Sequence, residues 1–191
     1  MDKSHSITKQ GIRVTVTDFS GYDNFIKACQ ATSGKKIDKS KVMNLCNRMY
    51  LAEHSPIRER VFWITVDNVP TFVANHFARH HEGINQFHRT HRSDRTGIKD
   101  EDQNRLTPTH FEFSANAQAL INMSRRRLCS RAAASTRIVM RMIRDCMTNV
   151  DIGLANCMVP DCVYRGNVCY EMESCGLHKD YKTWLYDREE E

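Results

Sequence analysis

The sequence predicts a single domain of the α+β class, because strand-like segments come first and the longest helical pattern follows. Strands and helices do not alternate along the chain as they do in a doubly wound parallel sheet. The length of 191 residues suits one domain, or one domain with a small appendage. Hydrophobic residues make up 40% of the chain and charged residues 27%, so we expect a globular core without disulfides.

Three segments predict strands, and one predicts a long loop. Residues 12–19 alternate apolar and polar side chains, which is the pattern of a half-buried strand. Residues 61–66 form a continuous apolar run of strand length, which predicts a buried strand. Residues 110–114 indicate a further short strand, and the polar stretch 96–109 before it predicts a mobile surface loop.

Apolar residues at helical spacing predict four helices. The first covers residues 22–31, and the second follows Asp38, which is suited to an N-cap. Pro70 suits the first turn of a third helix, which ends near His81. The longest helix is predicted to run over residues 116–149, where apolar side chains can supply a broad buried face.

The charge distribution indicates either an ordinary basic surface or an anionic partner. The net charge is +5 and the isoelectric point is near 8.8. Arginine and histidine crowd into residues 76–95 and arginine into 125–144, while acidic residues cluster at 187–191. An anionic partner would be a phosphorylated small molecule or a nucleic acid.

The sequence carries no signal for a membrane or for secretion. No apolar run approaches the roughly 20 residues that a membrane helix needs. The polar N-terminus, residues 1–5, lacks the apolar stretch of a secretory signal, so we expect a cytoplasmic protein without a membrane partner. In a reducing compartment the eight cysteines are expected to be core thiols, metal ligands or catalytic groups.

Two arginine-rich segments are candidates for binding an anion. Residues 79–95 hold four histidines and four arginines, which are hard to bury in a core. Arginine presents its donors in a planar fork that matches phosphate and carbonyl oxygens, and Thr90 adds a neutral hydroxyl. A solvated basic surface is the alternative for both segments. The second segment carries seven arginines whose like charges repel: Arg125, Arg126, Arg127, Arg131, Arg137, Arg141 and Arg144.

Four cysteines near the end of the chain are candidates for a metal site. Cys157, Cys162, Cys169 and Cys175 lie within 19 residues, and four thiolates suit a tetrahedral zinc ion. None of their spacings is the two-residue gap common in zinc knuckles. An iron–sulfur cluster and ordinary buried or surface thiols are the alternatives.

Several short motifs occur in one order along the chain, and the order is far more specific than any single motif. The motifs are His54-Ser55 with Glu59, the strand at 61–66, Arg79-His80-His81, Thr90-His91-Arg92, the helix start at 116–120, and Arg126-Arg127-Leu128. With these motifs in this order, the chain resembles the flavin-dependent thymidylate synthase family over roughly residues 10–150.

Some positions depart from the family pattern and indicate a divergent branch of the kind associated with bacteriophages. His81 stands where the family has a second arginine, Thr90 where it has serine, and Gln118 where it has arginine. The usual Ala-Gln-x-Glu segment reads Ala-Ala-Ala-Ser at residues 132–135, and the cysteine-rich segment 157–176 is not part of the family pattern. These departures bear on the substrate more than on the fold.

The resemblance implies a domain over residues 1–150, with a central mixed or antiparallel sheet flanked by helices. A cysteine-rich extension over residues 151–191 would pack on it. The family is a homotetramer that holds FAD between subunits, takes electrons from NADPH and one carbon from methylenetetrahydrofolate, and converts dUMP to dTMP. A phage-encoded enzyme of this kind would work in the host cytoplasm.

The resemblance also implies roles for individual residues. Arg79 and Arg92 would bind the phosphate or the base of the nucleotide, and Thr90 would stand near the pyrimidine. Thr90 and Arg92 are therefore the expected catalytic residues. His76 and Arg137 would be further nucleotide ligands. The residues expected to contact the flavin are His54, Glu59, His80, His81 and Arg127.

Two other functions are compatible with the sequence. The same fold would make a modified pyrimidine nucleotide if the one-carbon unit stayed at the hydroxymethyl level or if the substrate were a cytidylate. A non-enzymatic module that holds nucleic acid, with zinc as a stabiliser, is the alternative from another class. Few aromatic residues lie among the arginines, which disfavours base stacking, so we do not expect nucleic acid as the partner.

Overall fold

The computed structural model describes residues 3–177, and a five-stranded antiparallel sheet forms its centre. The strand order is β1-β2-β3-β5-β4, and every neighbouring pair is antiparallel. The predicted α+β class is confirmed, and the sheet is antiparallel rather than mixed. The strands are β1 (Ser4–Lys9), β2 (Ile12–Asp18), β3 (Val61–Pro70), β4 (Ile84–His88) and β5 (Pro108–Asn116).

Helices flank the sheet, and most are short. Among the described residues, α6 is the longest helix, with 17 residues. Short 3-10 turns lie at Lys39–Lys41, Ser55–Glu59 and Asp100–Asp102. The helices are α1 (Asp23–Ser33), α2 (Val42–Ala52), α3 (Thr71–Ala78), α4 (Ser93–Thr96), α5 (Ala117–Arg127), α6 (Ala134–Val150), α7 (Ile152–Cys157) and α8 (Asp161–Tyr164).

One face of the sheet is buried under the helices and the other is only partly covered. In β3 the side chains of Phe62, Ile64 and Val66 are fully buried, while Trp63 between them lies on the opposite face. There Trp63 stacks on Phe87 with ring centroids 5.5 Å apart. The apolar run at 61–66 therefore forms a strand that is buried on one face rather than on both.

The predicted single helix over 116–149 is wrong, because the chain leaves helical geometry after Arg127 and resumes it at Ala134. The interruption contains no proline or glycine. Leu128 is buried, and Nη1 of Arg137 donates to the carbonyl oxygens of Ser130 at 2.7 Å and Ala132 at 3.2 Å. These hydrogen bonds come from the next helix and hold the α5–α6 loop (residues 128–133) in place of an intrahelical ladder.

The buried Arg60 ties three distant parts of the chain together. Its guanidinium donates to both carboxylate oxygens of Asp18 at 3.0 and 2.9 Å and to Asp151 at 3.1 Å. Its Nε donates to the hydroxyl of Tyr50 at 3.3 Å, and Nη1 also donates to the carbonyl of Gly21. Burial by itself would lower the pKa of Arg60, but the hydrogen bonds to Asp18 and the contact with Tyr50 outweigh it and raise that pKa.

The hydrophobic core continues past residue 150. Leu154, Ala155 and Met158 are buried in the same core as α6. The predicted extension 151–191 therefore starts within the core, and its last part, residues 178–191, lies outside the described residues. Within residues 3–177, no helix combines the length and apolar character that crossing a membrane requires.

Candidate functional site

Five of the predicted site residues lie where α3 and α5 end. These helices start at opposite ends of the β3–β5 pair, because α3 follows β3 directly and α5 follows β5 directly. Contacts between Arg127 and the end of α3 show that their C-terminal ends meet. We refer to this group as the cation cluster: His76, Arg79, His80, His81 and Arg127.

Hydrogen bonds hold the centre of the cation cluster in a defined geometry. Nε of Arg127 donates to Nε2 of His80 at 2.9 Å, and its Nη2 donates to the carbonyl of His76 at 2.6 Å. Gln86 donates to the carbonyl of His80 at 2.6 Å, and Nδ1 of His76 lies 2.8 Å from the hydroxyl of Thr136. Arg127 is therefore fixed by two acceptors, and no acceptor in the described part of the chain engages its Nη1, which leaves those donors for a ligand.

The electrostatics of the cation cluster keep His80 neutral. Burial and, next, the Arg127 guanidinium lower the pKa of His80 to about 4. Because an arginine can only donate, Nε2 of His80 must be the unprotonated nitrogen, and Nδ1 carries the proton. His80 thus offers an Nδ1–H donor without adding a positive charge.

Within residues 3–177, no carboxylate forms a hydrogen bond or an ion pair with the cation cluster. Burial and the charge of Arg79 lower the pKa of Arg127. Burial and the charges of nearby arginines, led by Arg127, lower the pKa of His76. Every charged group that shifts the pKa of His76, His80 or Arg127 is cationic, and the C-terminal ends of α3 and α5 offset this only in part. The arrangement suits an anion such as a phosphate.

Thr90 and Arg92 lie on a neighbouring loop rather than in the cation cluster. Nε and Nη2 of Arg92 donate to the two carboxylate oxygens of Asp94 at 2.9 and 2.8 Å. The hydroxyl of Thr90 accepts from the backbone N–H of Arg92 at 3.2 Å. Within one chain Arg92 is therefore exposed and already paired with a carboxylate.

Three other predicted ligands also lie apart. Arg137 is half-buried, and its Nη1 donates hydrogen bonds to carbonyls of the α5–α6 loop. His54 and Glu59 are exposed and flank opposite ends of the 3-10 turn at Ser55–Glu59. Among the described residues, no hydrogen bond or ion pair joins His54 or Glu59 to the cation cluster.

Two neighbours of the cation cluster were missed from the sequence. Arg105 lies 4.9 Å from the ring centroid of Phe72, which meets the His76 ring edge-on at 5.7 Å. Gln86 fixes the end of α3 through the carbonyls of Phe77 and His80. Gln86 belongs to the arginine- and histidine-rich segment, which offered a signal, whereas Arg105 lies in a polar loop that offered none.

Gln118, which departs from the family pattern, contacts a carboxylate. Its amide donates to Glu53 at 2.5 Å, and Arg125 forms an ion pair with the same carboxylate. Arg125 in turn lies over the ring of Tyr164 at 3.4 Å. Arg125 thus supplies the positive charge that balances Glu53, while residue 118 is uncharged.

The structure groups the cysteines differently from the predicted set. Cys129, Cys162, Cys169 and Cys175 line one small cavity, whereas Cys157 does not line it and packs against the hydrophobic core. All eight thiols are free. In the part of the chain that the structure describes, no group of three or more Cys, His, Asp or Glu side chains is placed to hold a metal ion.

Comparison with known proteins identifies a shared fold. No protein-family model and no curated protein sequence matches the chain. The structure is similar to the crystal structure of the UMP/dUMP methylase PolB from Streptomyces cacaoi bound with 5-Br dUMP. The TM-score is 0.56 at 11% sequence identity, over 82% of this chain and 94% of that one. At this identity the likeness concerns the fold.

Proposed function

We propose that the chain is an FAD-dependent enzyme that transfers one carbon from methylenetetrahydrofolate to C5 of a pyrimidine deoxynucleotide. In the proposed reaction dUMP becomes dTMP, NADPH is the reductant, and the enzyme is a homotetramer in the cytoplasm. The fold shared with a methylase of UMP and dUMP supports a pyrimidine nucleotide as the substrate. The observation that carries the proposal is the half-buried Arg127 beside Arg79, in a cluster with which no carboxylate of residues 3–177 pairs.

The donors of the cation cluster fit FAD. Its diphosphate and the carbonyl oxygens of its ring need fixed N–H donors, and Nη1 of Arg127 and Nδ1–H of His80 are left available. His80, His81 and Arg127 would hold it, joined by His54 and Glu59. FAD supplies the redox chemistry: a methylene group needs two more electrons to become methyl, and these originate from NADPH.

The chain's own residues would bind and polarise the nucleotide. C5 of a pyrimidine is a poor nucleophile until negative charge can build up on the ring. Guanidinium groups held in advance by the fold stabilise such charge without a covalent adduct. Arg79 would do this from the cation cluster, with His76 as a further nucleotide ligand and Arg137 beyond it.

Assembly with other copies would complete the site. Within residues 3–177, no hydrogen bond or ion pair joins Thr90, Arg92, His54 or Glu59 to the cation cluster of the same chain. In the proposed tetramer these residues would come from neighbouring copies. Arg92 would exchange Asp94 for the phosphate of the nucleotide. This exchange trades one charge-assisted pair for another, so its net cost is small.

A flavin spectrum and a product analysis test the proposal together. We expect the purified protein to be yellow and to convert dUMP to dTMP when NADPH and methylenetetrahydrofolate are added. Arg127→Met removes charge-assisted hydrogen bonds worth about 1.5–3 kcal/mol each, so FAD affinity should fall about 10- to 150-fold. Arg13→Met, which removes an exposed arginine from β2, is the matched control and should bind FAD normally. A colourless protein that takes up no added FAD would refute the proposal.

A modified pyrimidine nucleotide is the second candidate product, and Gln118 favours it. Its amide engages Glu53, so the positive charge that the family pattern places at this position is absent. A site with one fixed charge fewer would accept a different pyrimidine or release a hydroxymethyl product. Mass spectrometry of products from dUMP and from a cytidylate separates these outcomes from dTMP.

A further inference from the structure

Four cysteines from three separate parts of the chain converge on one cavity. Cys129 lies on the α5–α6 loop, Cys162 lies on α8, and Cys169 and Cys175 lie on the segment after α8. All four line the cavity although up to 46 residues of sequence separate them. The remaining cysteines do not line this cavity: Cys29, Cys46, Cys146 and Cys157.

The cavity that these four cysteines line, together with Arg131, Asp161, Tyr170 and Glu171, is small. The cavity holds about 10 Å³, which is roughly the room that a single water molecule needs. An organic ligand would not fit there, whereas a single metal ion would. Thiolate sulfur is the ligand that zinc and other soft metals prefer in proteins, and four of them complete a tetrahedral structural site.

The segment that carries three of these thiols has little hydrophobic core. Beyond Met158, the buried residues within the described part of the chain are Pro160 and Cys162. Val168, Tyr170 and Met172 are exposed. Ion pairs such as Arg131 with Glu173 are exposed as well and stabilise little. A segment of this kind needs a cross-link or a metal to be ordered.

We propose that one zinc ion holds the segment 161–177 against the α5–α6 loop, bound by four thiolates: Cys129, Cys162, Cys169 and Cys175. With the side chains as they stand, no metal-binding group is formed within residues 3–177, so the sulfurs must turn toward one another on binding. Cys169 and Cys175 are free to do so, because residues 165–176 contain neither helix nor strand. Cys129 replaces Cys157 in the predicted set.

Arginine side chains accompany the negative charges around this site. Each thiol releases its proton to solvent when it binds, so four thiolates and one Zn²⁺ leave two negative charges. Arg131 lines the same cavity and also pairs with Glu173. Asp161 and Glu171 line the cavity as well; Arg165 pairs with Asp161 at 2.8 Å, and Arg126 lies 3.9 Å from Glu171. The proposal does not depend on the proposed enzymatic function.

Metal analysis of the full-length protein, purified under reducing conditions, tests the ligand set. We expect close to one zinc ion per chain. Cys129→Ser should lower the zinc content at least fivefold, while the matched control Cys157→Ser should leave it unchanged. Loss of zinc from Cys157→Ser with zinc retained by Cys129→Ser would overturn the assignment. Wild-type protein without zinc, and without a thiolate–cobalt spectrum after Co²⁺ is added, would overturn the site itself.

A measurement on the wild-type protein covers the case in which Cys129→Ser does not fold. Zinc-loaded and chelator-treated samples are alkylated, and the modified cysteines are located by peptide mass spectrometry. Zinc should protect the four proposed ligands selectively, and Cys157 should react equally in both samples. Equal labelling of all cysteines, or a disulfide among the four, would contradict a zinc site.

Discussion

Replacing Arg60 by methionine should destabilise the fold more than almost any other single substitution. The guanidinium is fully buried and makes five hydrogen bonds, two of them to Asp18 and one to Asp151. Methionine fills a similar volume but leaves both carboxylates buried without their cation. Removal of one partner from a buried ion pair costs about 3–5 kcal/mol. This is a large share of the roughly 5–15 kcal/mol by which a domain is stable.

Urea denaturation followed by circular dichroism measures this loss. In the variant Asp18 keeps a hydrogen bond from the N–H of Gly21, and Asp151 keeps one from the hydroxyl of Tyr50. Neither carboxylate therefore loses all of its hydrogen-bond donors. Arg58→Met is the matched control, because Arg58 is exposed two residues away, and it should change stability by about 0.5 kcal/mol or less.

A double-mutant cycle separates the buried charge from lost packing. Asp18→Asn removes one of the orphaned charges, so the double variant should be less destabilised than the sum of the single variants by about 0.5–3 kcal/mol. A loss below about 1 kcal/mol for Arg60→Met, or strict additivity in the cycle, would refute the reasoning.

Three further perturbations test other parts of the structure. The folded-state pKa of His80 is lowered to about 4, so as the pH falls the unfolded chain binds a proton at His80 before the folded chain does. The urea concentration at the midpoint of unfolding should therefore decrease as the pH drops from about 6.5 to 4. His80→Gln should make this midpoint less dependent on pH. Gly83 has φ +70°, and a Cβ at this position would lie 2.5 Å from the side-chain amide of Asn116, the N-cap of α5. Gly97 also has φ +70°, but a Cβ there would meet no atom within 4 Å. Gly83→Ala should therefore lower the melting temperature more than Gly97→Ala does. Phe113→Ala empties a buried site and should cost about 3–5 kcal/mol in urea denaturation, and a cost under about 1 kcal/mol would contradict its place in the core.

The central strands were predictable from the sequence, and the edge strands were not. β2 and β3 carry enough apolar residues to show a clear pattern. β1 and β4 each have only one sheet neighbour, and β4 lies within the arginine- and histidine-rich segment, where its polar side chains conceal the alternation. A short edge strand buries so little surface that its sequence is weakly constrained.

The break after Arg127 depends on contacts that no local pattern contains. The sequence through residues 128–133 is compatible with a helix, and the alanines there favour one. The carbonyls of the α5–α6 loop turn instead toward Arg137, which lies in the first turn of α6. Tertiary packing thus overrides helix propensity at this point.

The candidate site was partly predictable for a similar reason. His76, Arg79 and His80 fall within one turn at the end of α3, so a local pattern is enough to group them. Their approach to Arg127 depends on where α5 ends. The family resemblance, which rests on the order of the motifs, indicated that His80 and Arg127 belong to one site. The grouping of Cys129 with the later cysteines has no local signal, because more than 30 residues separate it from Cys162.

The position of Arg60 also has a consequence for the order in which the chain folds. Its partners Asp18 and Asp151 are 42 residues before it and 91 residues after it, so the guanidinium cannot lose its hydration shell until both ends of the chain have arrived. We therefore expect the interaction to form late, after the main folding barrier. In that case its energy slows unfolding, which protects the native protein kinetically while adding little to the speed of folding.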